Sequence, residues 1–333
     1  MKVVIKSDCE YEQRLSALQA TETDKGRMIG FAAPTSVFDE WHAEIKQRQQ
    51  ASPRVEAKLQ QLWGAQDYRG LASLLQFTPA KYSVVRHPVT VEQRKQQLND
   101  LVQVTTYTLT APSITHVLVY IHGGGLVNGT AERNADWLQA LLGQLGSNWA
   151  IVNIDYPLIT QTDLPTLLAA VVPIASQVAQ WYPTARLYLA GDSSGATLAM
   201  YTRDQNPALI NGQILIYPQW QFGGTIKSNQ SNSLPYLADF NRMLNVQTAL
   251  INQQIAKPIK MKLNNDLPTL IIKAEYDAFN DDLRAQIASV KLPNEKVAIT
   301  TFKGMFHGFI DYFGHLPQAE SALNEIKAWL TQY

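Results

Sequence analysis

Cysteine is nearly absent from this chain, in which Cys9 is the only one among 333 residues. A single cysteine excludes an intrachain disulfide and provides too few ligands for a cysteine-based metal cluster. Neither sign of charge is in excess, because 28 Lys and Arg residues balance 28 Asp and Glu residues. We therefore expect neither a nucleic-acid partner nor binding to an anionic membrane surface.

Long hydrophobic runs are also lacking. The most apolar stretch, residues 167–175, has about half the length that a membrane span requires, so we expect no membrane span. Charged residues interrupt residues 1–8 before a signal-like apolar run develops, and we therefore expect a cytoplasmic protein. The apolar share of 46% is nevertheless sufficient for a large core.

From residue 116 onward, short apolar runs alternate with helical patterns. The predicted strands are 117–121, 150–154, 187–190, 214–217, 269–273 and 297–302, and the predicted helices are 133–145, 164–181, 194–203, 282–290 and 318–330. Such strands suit parallel pairing with both faces buried. The alternation predicts an α/β fold with a mostly parallel central sheet flanked by helices. Pro173 should kink or split the second helix.

The first 80 residues have a different texture, with a pattern typical of short amphipathic helices. Ser36 and Ser52-Pro53 are the expected helix starts. Two strands are predicted next, at 82–91 and 101–109, and Pro88 makes the first of them an edge strand.

About fifty residues separate the predicted strands 214–217 and 269–273, which is too long for an ordinary loop. They comprise a Gly/Ser/Asn-rich part (222–234), a helical part (235–254) and a basic tail ending at Lys262. We interpret them as a lid at the carboxyl end of the sheet. The predicted division is a helical region 1–80 that contributes to a cap, a core of 81–218 and 266–333, and a cap insertion 219–265.

A serine motif follows the predicted strand 187–190. Gly191-Asp192-Ser193-Ser194-Gly195 has the G-x-S-x-G form of a nucleophile elbow, a turn that raises a serine hydroxyl above a sheet. A serine requires an adjacent base to become a nucleophile. The alternative is a turn serine that only caps the next helix.

A second motif, His122-Gly123-Gly124-Gly125, follows the predicted strand 117–121. Chance would give about 0.001 copies of it in a chain of this length and composition. Consecutive glycines allow backbone N–H groups to converge on a single point. We predict that Gly123, Gly124 and Gly125, together with the N–H of Ser194, form an oxyanion hole. A phosphate-binding loop is the weaker alternative, because the glycine spacing of such loops is missing.

A base and an acid are expected after the last two strands, in the order Ser, acid, His. His307 lies in a glycine-bounded segment after strand 297–302, and His315 is its positional rival. Asp277 stands a few residues beyond strand 269–273 and is the predicted acid. The other carboxylates nearby are Glu275, Asp281 and Asp282.

Together these residues resemble the hormone-sensitive-lipase-like branch of the α/β-hydrolases. The resemblance covers about residues 80–333 and rests on the two motifs above, Asp155-Tyr156, Tyr217-Pro218, Asp277 with Asp281, and His307-Gly308-Phe309. It implies the α/β-hydrolase fold with a cap over the site, and a mechanism without metal or cofactor. Ala196 replaces a glycine that is common after the elbow in that branch, a change between small residues.

The sequence therefore predicts a serine carboxylesterase that cleaves small to medium acyl esters, with a small-molecule ester as its partner. The same residues would also serve an amidase, an acyl-peptidase or an acyltransferase. A third alternative is a ligand-binding relative, which the presence of Ser193, Asp277 and His307 disfavours. The oligomeric state is open, a homodimer included.

Overall fold

The computed structural model describes residues 7–24, 26–32, 53–75, 83–110, 113–225, 235–264, 266–289 and 295–333. Within these ranges a ten-stranded sheet runs through the protein in the order β1-β2-β12-β11-β8-β7-β5-β6-β4-β3, and β9 and β10 form a separate pair. The strands are β1 Gln19–Thr23, β2 Gly26–Gly30, β3 Glu92–Gln97, β4 Gln103–Thr108, β5 His116–Ile121, β6 Trp149–Asp155, β7 Arg186–Asp192, β8 Gly212–Ile216, β9 Gln221–Phe222, β10 Ile259–Lys260, β11 Thr269–Tyr276 and β12 Val297–Phe306.

Seven neighbouring strands, from β2 to β6 in that order, are parallel, and antiparallel strands close both edges. Side chains of the central strands alternate between two buried faces. On β5, Leu118 and Tyr120 belong to one core cluster, and Val117, Val119 and Ile121 belong to another. This burial on both sides explains why the central strands are almost uniformly apolar.

Helices cover both faces of the sheet. Their bounds are α1 Asp8–Ser16, α2 Pro53–Gly64, α3 Tyr68–Leu75, α4 Ala135–Leu145, α5 Leu164–Val171, α6 Ile174–Trp181, α7 Ser194–Gln205, α8 Pro235–Asn252, α9 Asn280–Ala288 and α10 Pro317–Leu330. α4 and α10 pack on one face, and α1 packs against α10. α5, α6, α7 and α9 pack on the other face. The predicted fold class is confirmed.

Pro173 divides the predicted helix 164–181 as expected. α5 ends at Val171 and α6 begins at Ile174, because proline lacks an N–H and its ring clashes with the preceding turn. Within the described residues, this stretch alone is long and apolar enough to cross a membrane, by length and composition. Here its two helices bury Leu164 and Val178 in the core.

The N-terminal region contains strands that the sequence analysis missed. β1 and β2 pair antiparallel, and β2 pairs with β12 in parallel, so the prediction of helices is wrong for the residues of these two strands. β1 is exposed along its whole length and mainly polar, which removes the apolar alternation that marks a strand. α2 begins at Pro53 as predicted, whereas Ser36 and Ser52 lie outside the described residues.

The first predicted core strand is also misplaced. Residues 83–91 form no strand, Tyr82 lies outside the described residues, and the edge strand β3 is Glu92–Gln97 instead. Five of its six residues are exposed and all six are polar, so hydrophobic periodicity could not reveal it. Backbone pairing with β4 defines this strand.

Cap elements lie over one end of the sheet. α3 packs against α8, the helix of the long insertion. Leu59 of α2 and Leu71 of α3 share a core cluster with Val246 and Leu250 of α8 and with Leu126, which follows the glycine motif. An N-terminal helix pair and the insertion therefore meet beside the predicted site.

Candidate active site

The serine motif forms the sharp turn between β7 and α7. Ser193 has φ 54° and ψ −123°, a sparsely populated conformation that stores strain. The turn is held by the Ser193 N–H, which donates to the Ile216 carbonyl at 2.9 Å. A Cβ at Gly191 would lie 2.5 Å from the carbonyl carbon of Gly195, and one at Gly195 would collide with the Ile121 carbonyl. The two glycines therefore permit the close crossing of strand and helix.

Ser193, His307 and Asp277 form one hydrogen-bonded line. The Ser193 hydroxyl donates to His307 Nε2 at 2.8 Å, and His307 Nδ1–H donates to Asp277 Oδ2, also at 2.8 Å. The second carboxylate oxygen, Asp277 Oδ1, accepts the Phe279 N–H at 2.9 Å. Side chains far apart in sequence thus meet in the geometry in which a histidine can remove a serine proton.

Strand length decides where the acid and the base lie. β11 extends to Tyr276 and β12 to Phe306, so Asp277 and His307 are each the first residue beyond a strand. The sequence analysis ended these strands three and four residues too early. Pairing between β11 and β12 shifts register after Ala274, and Gly304, with φ 75°, lies within β12. Such a bulge interrupts the apolar pattern without ending the strand.

The rival residues have other positions. Glu275 accepts the Gly304 N–H at 2.7 Å and so supports the irregularity in β12. Asp281 and Asp282 lie in the first turn of α9, where a carboxylate interacts favourably with the positive end of the helix dipole. Asp281 also pairs with Arg284. His315 lies in the turn before α10. Asp277 and His307 are the acid and histidine that the fold brings to Ser193.

The glycine motif makes a turn beside Ser193. Gly124 and Gly125 have φ of 110° and 67°, which glycine adopts readily. The Gly124 carbonyl accepts the Asn128 N–H at 2.9 Å and closes the turn. The structure corrects the prediction for Gly123, because its N–H donates to Asp192 Oδ1 at 2.8 Å. Among the described residues no acceptor contacts the N–H groups of Gly124, Gly125 and Ser194.

Asp192 is the centre of a second buried polar group, which we call the support cluster; its members are Asp192, Tyr120, Gly123, Arg133 and Asp311. The Tyr120 hydroxyl donates to Asp192 Oδ1 at 2.5 Å, and Arg133 donates to Asp311. Burial, and then the neighbouring Asp311, raises the pKa of Asp192 to about 6. Burial opposes the charge of Arg133, but Asp311 and Asp192 outweigh it and raise the Arg133 pKa. Sequence reasoning missed this cluster, because its members are not part of a shared motif.

His122 braces the glycine turn. Its ring stacks on Tyr156 at a centroid distance of 4.2 Å, and Nδ1 lies 2.7 Å from the Gly123 carbonyl. Because a carbonyl only accepts, Nδ1 carries the proton. Burial lowers the pKa of His122 to about 4, which keeps the ring neutral near pH 7.

The cap closes directly on the site. Phe240 of α8 lies 4.4 Å from the His307 ring, centroid to centroid, and Tyr217 and Phe279 border the same ring. Ser193 is only 8% exposed and His307 only 6%. Little of either side chain is therefore exposed to solvent. Within the described residues, no group of three or more His, Cys, Asp or Glu side chains could hold a metal ion.

Comparison with known proteins identifies the fold. A sequence model of a family described by its α/β-hydrolase fold matches residues 118–311. Among solved structures, an esterase of Pyrobaculum calidifontis is 22% identical, with 83% of this chain and 97% of that chain covered and a TM-score of 0.57. An esterase of Rhizomucor miehei is 20% identical, with 91% and 98% covered and a TM-score of 0.60. An esterase of Pseudomonas putida is 16% identical, with 90% and 96% covered and a TM-score of 0.60.

Proposed function

The chain belongs to the α/β-hydrolase fold family, and on that premise we propose that it hydrolyses carboxylic esters through a covalent acyl intermediate on Ser193. The observation that carries the proposal is the line from Ser193 Oγ through His307 to Asp277, with 2.8 Å at both hydrogen bonds. The similar structures named above are of proteins described as esterases, which supports the same reaction class.

In the first half-reaction His307 Nε2 removes the Ser193 proton as Oγ attacks the ester carbonyl carbon. Asp277 holds the Nδ1–H tautomer and stabilises the imidazolium that forms. The oxyanion accepts hydrogen bonds from the N–H groups of Gly124, Gly125 and Ser194. His307 then protonates the alcohol oxygen, the C–O bond breaks, and the acyl group stays on Ser193.

In the second half-reaction water attacks the acyl carbon while His307 Nε2 accepts its proton. The same three N–H groups bind the second oxyanion, and collapse of this intermediate returns the proton to Ser193 Oγ and releases the acid. The site residues of this chain supply all the proton transfers. Gly123 has no role as an oxyanion donor, because its N–H holds Asp192.

The substrate class follows from what surrounds the imidazole. Phe240, Leu244, Ala278 and Phe279 form an apolar cluster next to His307. Such a surface favours an uncharged ester with apolar groups of small to medium size. A series of p-nitrophenyl esters from acetate to laurate measures this size preference, and a maximum at laurate would contradict the assignment to small and medium acyl groups.

Replacement of the serine tests the mechanism. We expect Ser193→Ala to lower kcat for p-nitrophenyl butyrate by at least 10³-fold, as removal of a triad serine does in serine proteases. A phosphonate p-nitrophenyl ester should add its phosphonyl group to Ser193 of the native chain, visible by mass spectrometry of the peptide. Ser176→Ala, on α6 and hydrogen-bonded to the Pro173 carbonyl, is the matched control.

Wild-type activity in Ser193→Ala would contradict the proposal. The alternatives of amidase and acyltransferase are separated by offering one acyl group as an ester, an anilide and a thioester, and by adding a competing alcohol. We expect the ester to give the highest kcat/KM and the free acid to be the main product. A ligand-binding role would give saturable binding without release of the alcohol, the aniline or the thiol from the three donors.

A further inference from the structure

A pair of buried glutamines lies beside the predicted nucleophile and the glycine turn. Gln219 follows β8, and its backbone N–H donates to the Ser193 carbonyl at 3.4 Å. Its own carbonyl accepts from the buried Thr197 hydroxyl at 2.5 Å. The backbone of Gln219 is thereby fixed to the elbow, and its side chain extends from a rigid base.

The partner glutamine comes from the cap. Gln247 of α8 donates from Nε2 to Gln219 Oε1 at 3.0 Å, and its carboxamide lies 3.4 Å from the point where a Cβ on Gly125 would stand. Gln247 shares a helix face with Phe240 and Leu244, which are spaced at i, i+4 and i+7. Both neighbours are buried and apolar, so Gln247 interrupts an otherwise apolar stripe directly above the glycine turn.

The pair is incompletely satisfied. Gln219 is 2% exposed and Gln247 is 1% exposed, and Gln219 Nε2 has no acceptor among the described residues. A buried amide donor without an acceptor is unfavourable. An apolar pair of similar volume would avoid that cost, so the amides are better explained by a ligand than by packing.

The position of the pair indicates which part of an ester it would meet. The alcohol oxygen must lie at His307 Nε2 to receive its proton, which places the alcohol group against Phe240 and Phe279. The carbonyl oxygen faces the N–H groups of Gly124, Gly125 and Ser194. The acyl chain is the remaining substituent, and Gln219 and Gln247 lie beside the Ser193 backbone and the glycine turn.

We propose that Gln219 and Gln247 form a polar acyl subsite that selects esters whose acyl chain carries a hydrogen-bond acceptor, such as an ether or carbonyl oxygen, two or three atoms from the ester carbonyl. This rests on the proposed ester hydrolysis at Ser193. When the cap admits such a substrate, the acyl oxygen accepts from the unpaired amide N–H. An all-carbon chain of the same length leaves that donor unpaired.

The test compares acyl chains of equal length. The probes are p-nitrophenyl valerate, p-nitrophenyl 3-methoxypropanoate and p-nitrophenyl ethoxyacetate, in which an ether oxygen replaces one methylene. Each kcat/KM is divided by the hydroxide-catalysed rate constant of the same ester, to remove intrinsic reactivity. We expect one ether ester to exceed valerate by about five- to tenfold, the effect of one neutral hydrogen bond.

Two variants localise the preference. Gln219→Leu removes the unpaired donor and should reduce the ether-to-valerate ratio to about one. Gln247→Met removes the hydrogen bond that orients the Gln219 amide and should lower the ratio, whereas the control Gln253→Met, at an exposed position beyond the end of α8, should keep the wild-type ratio. Thermal melting by circular dichroism verifies that each variant is folded. If Gln219→Leu does not fold, the ether-to-valerate ratios of Gln247→Met and of the wild type still test the proposed subsite.

Three results would overturn the subsite. One is a wild-type ratio within twofold of one for both ether esters, and another is an unchanged ratio in the folded glutamine variants. The third is a preference that appears only on the alcohol side, when 2-methoxyethyl butyrate is compared with butyl butyrate. Ser193→Ala separates the two proposals. Activity that survives in this variant refutes the serine mechanism. If the activity depends on Ser193 but the ether-to-valerate ratio of the wild type is one, only the subsite is refuted.

Discussion

Two buried carboxylates flank the serine turn, and they differ in their partners rather than in their burial. Asp277 is 2% exposed and accepts the His307 Nδ1–H; Asp192 is 5% exposed and accepts a phenol O–H and the backbone N–H of Gly123. In the proposed mechanism, only Asp277 is connected to a group that changes charge as Ser193 reacts. Asp192 is adjacent to the serine in sequence, yet its partners hold the backbone in place.

This difference predicts separate consequences for the two carboxylates. Loss of charge at Asp277 should act on the reaction rate, since the proposed mechanism forms an imidazolium beside it. Loss of charge at Asp192 should act mainly on stability and on its pH dependence, since its neighbours are structural. Between these extremes lies the glycine turn, which contacts Asp192 through Gly123 and whose Gly124 and Gly125 N–H groups are the proposed oxyanion donors.

The largest effect is expected for Asp277→Asn. Asparagine can still accept the Phe279 N–H, but it does not stabilise the imidazolium and it permits the wrong histidine tautomer. We expect kcat for p-nitrophenyl butyrate to fall by about 10⁴-fold, as for the same change in a serine protease, with a melting temperature close to that of the wild type. Steady-state kinetics and circular dichroism measure the two quantities.

Asp282→Asn is the matched control for that change. Asp282 lies in the first turn of α9, and it was one of the carboxylates that sequence reasoning weighed as the acid. Its loss should leave kcat within about threefold, because the residue contributes mainly to the helix dipole. Equal losses of kcat in the two variants would contradict the assignment of Asp277 as the acid and its contrast with Asp192.

The next effect in size is expected for Gly124→Ala. A Cβ at this residue would overlap the Asn128 carbonyl, and φ is 110°, so the turn that presents the Gly124 and Gly125 N–H groups must distort. Loss of one oxyanion donor lowers kcat by about 10² to 10³-fold. Gly146→Ala is the control, because Gly146 has φ of 96° but only Asn148 Oδ1, at 3.9 Å, near the added Cβ.

Gly146→Ala therefore isolates backbone strain from loss of the donor. Because ψ at Gly146 is −178°, in a region essentially restricted to glycine, the variant should lose about 1 to 3 kcal/mol of stability and keep kcat unchanged. If both alanine variants lose kcat to the same degree, strain alone would account for the effect, and the N–H groups of the glycine turn would no longer be assigned to the oxyanion.

Sequence reasoning predicted the parts of the site whose chemistry is local. The elbow at Ser193 and the glycine turn each require particular residues at fixed spacing, and the apolar strands beneath them carry an unmistakable pattern. Asp277 and His307 followed from the order of strands. The ends of these strands could not be predicted in the same way, because the bulge at Gly304 and Glu275 is stabilised by pairing between β11 and β12.

Elements defined by tertiary pairing could not be predicted. β1 and β3 are polar edge strands that owe their conformation to β2 and β4, so their sequences lack the apolar alternation of a strand. The same is true of the support cluster and of Gln219 with Gln247, which unite residues from separate elements. The engagement of the Gly123 N–H by Asp192 also depends on how β5 and β7 lie side by side.

The smallest effect on rate is expected for Asp192→Asn, and here the measured quantity is the pH dependence of stability. Asparagine keeps an oxygen for the Gly123 N–H, so kcat should fall by tenfold or less. In the folded protein the Asp192 pKa is about 6, above its ordinary value of 3.8, so the contribution of Asp192 to stability is full below pH 3.8 and is lost as pH rises through 6.

This loss is on the order of 3 kcal/mol, and asparagine does not undergo it. The free energy of unfolding of Asp192→Asn, minus that of the wild type, should therefore rise between pH 4 and 6.5 and then level off. The contribution of His122 to stability has the opposite pH dependence, since its pKa is lowered to about 4 and the contribution is lost as pH falls. His122 is present in both proteins, so its contribution cancels in the difference. A flat difference curve, together with a loss of kcat as large as that of Asp277→Asn, would mean that Asp192 acts in the reaction and not in support of the turn.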